Sequence, residues 1–123
     1  MRIYFYSLVI LCLVLITHIV GVNGMYAACP SYNIFMHILG GIGVGLAVCA
    51  AVKLHGGNIA HKGRVIIIGV LVMGMIWESF EIYYNIASAP LWTMPYYIDT
   101  AKDLFNDIIG GGIIVFLCQK LYK

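Results

Sequence analysis

The chain has 123 residues, of which 63% are hydrophobic and only 10% are charged, with a formal net charge of +2. Soluble domains contain roughly 45–50% apolar residues, so this composition is typical of an integral membrane protein and excludes an ordinary soluble domain. The small net charge gives no reason to expect nucleic-acid binding. At this length one domain is expected.

Four apolar segments follow one another along the chain, at about 3–22, 34–54, 65–84 and 99–122. Each is long enough to cross roughly 30 Å of hydrocarbon as a helix. The first segment could instead be a cleaved signal peptide, but its apolar region is longer than a usual signal core. The sequence therefore predicts an all-α integral membrane four-helix bundle of up-down topology, forming a single domain over 1–123.

The second segment contains a glycine-rich run in which Gly41 and Gly45 form a small-xxx-small pair. Such pairs allow a second helix to approach closely. His37 lies four residues before Gly41, on the same face of the predicted helix. We therefore expect a neighbouring helix to pack against this face near the histidine.

The third segment is apolar in its first half and carries two carboxylates in its second half. Gly74, Glu78 and Glu81 fall on one helical face, which Asn85 continues. The loop that follows is rich in Trp and Tyr, which is typical of side chains at a membrane–water interface. This face is a candidate for a polar site inside the bundle.

The fourth segment begins with a line of carboxylates. Asp99, Asp103 and Asp107 follow one another at i, i+4 and i+8, on one side of a helix. Asn106 and Gly110 fall on the same side. Asp99 could instead be the N-cap of this helix, a position that favours Asp.

The basic residues indicate how the spans are oriented. Six of the seven lie at the N-terminus, around the loop between segments two and three, or at the C-terminus, namely Arg2, Lys53, Lys62, Arg64, Lys120 and Lys123. The two loops on the other side carry none. The positive-inside rule then places both termini in the cytoplasm, and we expect the bacterial cytoplasmic (inner) membrane.

In this orientation the polar groups of three segments lie in the outer half of the membrane. His37 is about one turn inside, Glu78 and Glu81 are one to two turns inside, and the Asp99–Asp107 stretch spans about 12 Å. A charged side chain near the bilayer centre costs about 2.5–3.5 kcal/mol on insertion scales. We therefore expect these groups to face one another in one shared site rather than to face lipid.

Carboxylates that face one another repel, and a bound divalent cation would offset that repulsion. The candidate metal ligands are His37, Glu78, Glu81, Asp99, Asp103 and Asp107. The candidate supporting residues are Trp77, Lys102 and Asn106, although Lys102 could simply be an interfacial lysine whose stem lies along apolar surface. These ligand types suit Mg²⁺, Mn²⁺, Ca²⁺ or Zn²⁺ and do not identify which of these metals is bound.

Three short motifs in segments two to four carry a resemblance. They are His37-x-x-Gly40-Gly41, Trp77-Glu78-x-x-Glu81 and Asp99-Thr100-x-x-Asp103-x-x-Asn106-x-x-x-Gly110. The set resembles small bacterial membrane proteins of the YjdF type and is more loosely similar to VanZ-like proteins. The resemblance implies a membrane bundle with a shared polar site and implies no particular reaction.

Three classes of function remain open. The first is a metal-assisted membrane hydrolase, in which the cation polarises a phosphoryl or carbonyl oxygen of a lipid-like substrate and activates water. The second is a cation or proton transporter, although the inner half of the spans offers no continuing polar path unless a homo-oligomer supplies one. The third is a non-catalytic envelope or resistance factor in which a metal or proton network holds the helices together.

Overall fold

The computed structural model describes residues 2–121, apart from the side chain at position 60. All regular secondary structure in this range is helical. In chain order the elements are α1 (Arg2–Val20), a π-helical turn (Gly21–Met25), α2 (Tyr26–Ala28), α3 (Ser31–Leu54), a 3₁₀ turn (Ile59–His61), α4 (Gly63–Tyr84) and α5 (Met94–Leu121).

Four helical stretches among the described residues are long and apolar enough to cross a membrane, namely Arg2–Ala28, Ser31–Leu54, Gly63–Tyr84 and Met94–Leu121. The predicted all-α membrane bundle with four spans is thereby confirmed. The expected end of the fourth span at residue 122, together with Met1 and Lys123, lies outside the described residues.

The first span is kinked at its C-terminal end. Gly24 has a φ of 133°, which glycine adopts without steric cost. Beyond the kink, the Tyr26 hydroxyl is hydrogen-bonded to Nδ1 of His18 at 2.9 Å. The Tyr32 hydroxyl donates a 2.6 Å hydrogen bond to the carbonyl oxygen of Thr17. These two hydrogen bonds join the end of α1 to α2 and to the start of α3.

Helix α3 is the central element, since it packs against α1, α4 and α5. Its closest contact is with α5, where Gly41 lies against the backbone carbonyl of Asp107 and Gly110 lies against that of Ile38. A Cβ atom at either glycine would collide with backbone. Gly45 in turn faces the side chain of Ile114. The predicted close approach at the small-xxx-small pair is confirmed.

The end of the bundle that carries Arg2 and the α3–α4 loop has an apolar core. Its buried residues are Ile3, Cys49, Ala50, Ile59, Ile66, Val70, Ile114 and Cys118. The sulfur atoms of Cys49 and Cys118 are 3.1 Å apart, which joins the C-terminal parts of α3 and α5. The buried polar side chains of α3, α4 and α5 lie toward the opposite end of the bundle.

Helix α5 begins at Met94, before the line of carboxylates. Pro95 is in its first turn, where a proline loses no intrahelical hydrogen bond. Asp99 therefore lies inside the helix and does not act as its N-cap.

Candidate functional site

A buried histidine lies at the contact between α3 and α5. Nδ1 of His37 is 3.2 Å from Oδ1 of Asp107, and Nε2 is 3.5 Å from Oδ2 of Asp103. The two aspartates are one turn apart on α5 and therefore share a face. One imidazole thus bridges two carboxylates, and all three side chains are buried.

Glycines make room for this arrangement. The backbone contact at Gly41 brings α5 close enough to α3 for Asp107 to reach the imidazole. On α4, a Cβ atom at Gly74 would collide with the Asp107 carboxylate. The aspartate is therefore enclosed between two helices at positions where neither has a side chain.

Helix α4 contributes Glu78 to the buried polar cluster, and this residue is only 7% exposed. Its Oε2 accepts a 2.8 Å hydrogen bond from the Thr100 hydroxyl. Its Oε1 is buried and has no hydrogen-bond partner among the described residues. Leaving a buried acceptor unpaired costs about 1–3 kcal/mol, and more for a charged group. A proton or a cation at this oxygen would remove that cost.

His37, Glu78 and Asp103 form a compact group in which one ligand atom from each residue lies within 4.8 Å of the others. The carboxylate of Asp103 is held by Asn33, whose Nδ2 donates a 2.9 Å hydrogen bond to Oδ1. This leaves Oδ2 directed toward His37. We call these three residues the ligand group.

Two other predicted ligands lie outside the ligand group. Glu81 is half-buried and accepts a 2.9 Å hydrogen bond from the indole N–H of Trp77. Asp99 is half-buried and accepts a hydrogen bond from the Ser88 hydroxyl. Each of these carboxylates therefore has its own partner near the end of the bundle.

The remaining predicted residues also lie outside the ligand group. Asp107 belongs to the buried cluster through His37 but not to the ligand group. Asn106 is half-buried and Lys102 is exposed. The structure thus brings together four of the six predicted ligands, namely His37, Glu78, Asp103 and Asp107.

Two residues that orient the ligand group were not singled out as site residues from the sequence. Asn33 binds Asp103 and Thr100 binds Glu78. Asn33 is four residues before His37, so its place on the same helical face was a usable signal. Thr100 stands three residues before Asp103, which gives it the same kind of signal.

A cavity of about 220 Å³ lies beside the cluster, between α1, α3 and α4. His37 and Asp107 form part of its wall, while Leu11, Val14 and Val44 are among its apolar lining residues. At one end the His18 ring lies edge-on to Trp77, with 4.8 Å between the ring centroids. The cavity therefore joins a buried imidazole–carboxylate pair to an apolar space.

Fold and site together define an integral membrane protein with a buried His/Glu/Asp group. The chain belongs to the family described as predicted membrane protein (DUF2238), whose model matches residues 2–123. This supports the expected membrane protein class, but it supports neither the YjdF-type nor the VanZ-like resemblance in particular. No match was found among curated proteins or among solved structures.

Proposed function

We propose that the protein is a membrane-embedded, metal-assisted enzyme that acts on an amphiphilic substrate such as a lipid or lipid phosphate. The observation that carries the proposal is the carboxylate of Glu78, which is grouped with His37 and Asp103 and whose buried Oε1 atom has no partner among the described residues. A divalent cation would satisfy this oxygen and offset the repulsion among the carboxylates.

The donor types of the ligand group suit such a cation, and the spacing of one ligand pair agrees with it. The 3.5 Å distance between Nε2 of His37 and Oδ2 of Asp103 is close to the ~3.4 Å that separates two ligands of a tetrahedral ion with bonds of ~2.1 Å. Three protein ligands with one open position are typical of catalytic rather than structural zinc sites. Mg²⁺ and Mn²⁺ also accept this donor set.

When bound, such a cation would act as a Lewis acid on a phosphoryl or carbonyl oxygen and would activate water. The chain's own residues hold the ligands in place. Asn33 orients Asp103 and Thr100 orients Glu78 by hydrogen bonds. Asp107 holds His37 through Nδ1. Partners of this kind fix the geometry of a metal site and raise its affinity.

An amphiphilic substrate is favoured by the position of the cavity. His37 belongs both to the ligand group and to the cavity wall. A headgroup in the cavity would therefore lie next to the proposed cation, with apolar side chains around the rest of the molecule.

A proton or cation transporter is the second candidate, because an imidazole between two aspartates can share a proton with either. The apolar core around Cys49, Ile66 and Ile114 counts against it. That core closes the other half of the bundle among the described residues, so a single chain lacks a polar path across the membrane. A homo-oligomer could supply one.

The experiment is to measure metal content and hydrolysis of lipid phosphates for detergent-purified protein, beside Asp103→Asn and Asp99→Asn variants. Asp99→Asn is the matched control, since Asp99 lies one turn away and outside the ligand group. We expect metal-dependent hydrolysis that is lost in Asp103→Asn and kept in Asp99→Asn. Electrogenic flux in liposomes without hydrolysis would favour the transporter. The absence of both hydrolysis and flux would favour a non-catalytic envelope or resistance factor.

Orientation and location are part of the same proposal. We place both termini in the cytoplasm of a bacterial cell and the ligand group in the outer half of the inner membrane, from the one-sided basic residues. A kinship with YjdF-type or VanZ-like proteins is likewise proposed on the motifs around His37, Glu78 and Asp103.

A further inference from the structure

The cavity beside His37 is elongated along the helices. Three helices line it over seven or eight residue steps each, from Leu11 to His18, from Met36 to Val44 and from Val70 to Trp77. At 1.5 Å per residue this corresponds to about 10–12 Å along the bundle axis. The cavity is therefore a narrow slot that runs from the buried cluster toward the middle of the bundle.

The chemistry of the slot changes along its length. The end near α2 carries His37 and Asp107, whereas the other end is lined by Leu11, Val44 and Val70. Its volume of about 220 Å³ is below the ~300–1,000 Å³ of sites for drug-sized ligands. A slot of this size and polarity has room for part of one hydrocarbon chain beside a small headgroup.

The slot is accessible from the side of the bundle. Leu11 on α1 is 37% exposed and Met73 on α4 is 46% exposed, and both line the cavity. Helix α1 packs mainly on α3 in the described part of the chain, so we expect the side of the slot between Leu11 and Met73 to face the surrounding lipid. A chain can therefore enter from the bilayer without crossing water.

We infer that this slot binds one alkyl or prenyl chain of the substrate and directs a small hydrogen-bonding headgroup to His37 and Asp107. The inference rests on the proposed function in that it calls the bound amphiphile a substrate. It adds to that function the substrate class: a long-chain amphiphile with a compact headgroup, one chain of which lies in the slot.

Gly40 offers a way to fill the slot without disturbing the helices. A Cβ atom there would meet only Oδ1 of Asp107, at 4.0 Å, so Gly40→Leu projects into the slot. Gly112→Leu is the matched control, because a Cβ atom at Gly112 has open space and the residue lies away from the slot. A second pair is Met73→Trp at the mouth and Met75→Trp on lipid-facing α4 surface.

The test uses a long-chain alcohol that carries a photoreactive diazirine in its chain, added to the purified protein in detergent. We expect saturable labelling at slot residues such as Val14 and Val70, blocked by the unlabelled alcohol but not by butanol. Gly40→Leu and Met73→Trp should each lower this labelling by about tenfold, and the two control variants should not. Labelling spread evenly over lipid-facing side chains, or unchanged in both slot variants, would overturn the inference.

The alcohol probe has an uncharged headgroup and needs no metal, so its binding can be tested separately from the proposed enzyme activity. Glu78 does not line the slot, so Glu78→Gln should abolish metal-dependent turnover and retain slot labelling. Turnover without slot labelling would overturn the chain site and leave the enzyme proposal intact. Slot labelling without any metal-dependent turnover would support the chain site and contradict the enzyme. If Gly40→Leu fails to fold by thermal unfolding, Met73→Trp decides the outcome.

Discussion

At the scale of single residues, the site depends on glycines that lack a side chain as much as on the polar side chains themselves. Gly41 and Gly110 let two helix backbones touch, and only then can His37 reach carboxylates on α5. Among the described residues, the fully buried polar side-chain atoms are paired, with the exception of Oε1 of Glu78 on α4. Close packing and the polar cluster are thus two aspects of the same contact.

Two neighbouring glycines should respond very differently to the same change. Gly41→Ala places a methyl group against the Asp107 backbone, and overpacking of this kind typically costs about 1–3 kcal/mol. Gly40→Ala has free space and should leave stability unchanged or raise it by up to about 1 kcal/mol. Thermal unfolding in detergent compares the two. Equal effects would contradict the backbone contact between α3 and α5.

Thr100 should matter because it is the hydrogen-bond donor to Glu78. Thr100→Val keeps the shape of the side chain and leaves both glutamate oxygens without a protein partner. We expect a loss of about 1–3 kcal/mol in the free energy of unfolding. Thr100→Ser, which keeps the hydroxyl, should recover most of it. A valine variant as stable as the wild type would show that this hydrogen bond is not formed.

At the scale of the helices, α3 is the element against which the other three spans pack. The helix period explains which residues could be predicted to share a helical face. The spacing of Asp103 and Asp107, and that of Gly41 and Gly45, is enough by itself to place each pair on one helical face. The partners across helices could not be derived in the same way. Nothing in the local sequence says that Asn33 meets Asp103 or that Thr100 meets Glu78, because these pairs depend on how two helices are rotated against each other.

The Cys49–Cys118 pair gives a direct test of helix packing. With sulfur atoms 3.1 Å apart, the thiols should form an intrachain disulfide under mild oxidation. The experiment uses a chain with Cys12→Ser and Cys29→Ser, treated with copper phenanthroline and then alkylated after unfolding, because both remaining thiols are buried in the folded chain. We expect intact mass to show that both thiols resist alkylation until a reductant is added. Two alkylated thiols after oxidation would contradict the packing of α3 on α5.

At the scale of the whole molecule, the bundle is apolar at one end and polar at the other. The apolar end carries Arg2 and the α3–α4 loop, while the polar end carries the ligand group. The predicted common depth of His37, Glu78 and Asp103 agrees with their contact in the structure. The separation of Asp99 and Glu81 was not predictable, because a helical face shows which side a residue is on and not which neighbour it binds.

The orientation that we propose from the basic residues can be tested directly. Topology reporters fused after Asn23 and after Ala89 should read as external, since the two loops there carry no basic residues. A reporter fused after Gly57 should read as cytoplasmic. An external signal at Gly57 would invert the orientation and move the ligand group to the inner half of the membrane.

The central claim is that Glu78, Asp103 and His37 hold one cation together, and its most direct measurement is thermal stability with divalent ions or chelator. At a free ion concentration of about 100 Kd, the wild type should gain about 2.7 kcal/mol. Glu78→Gln and Asp103→Asn should each lose that gain, and the double variant should lose less than the sum. Asp99→Asn should keep the gain. Additive losses with no dependence on ions in any variant would contradict a shared cation site.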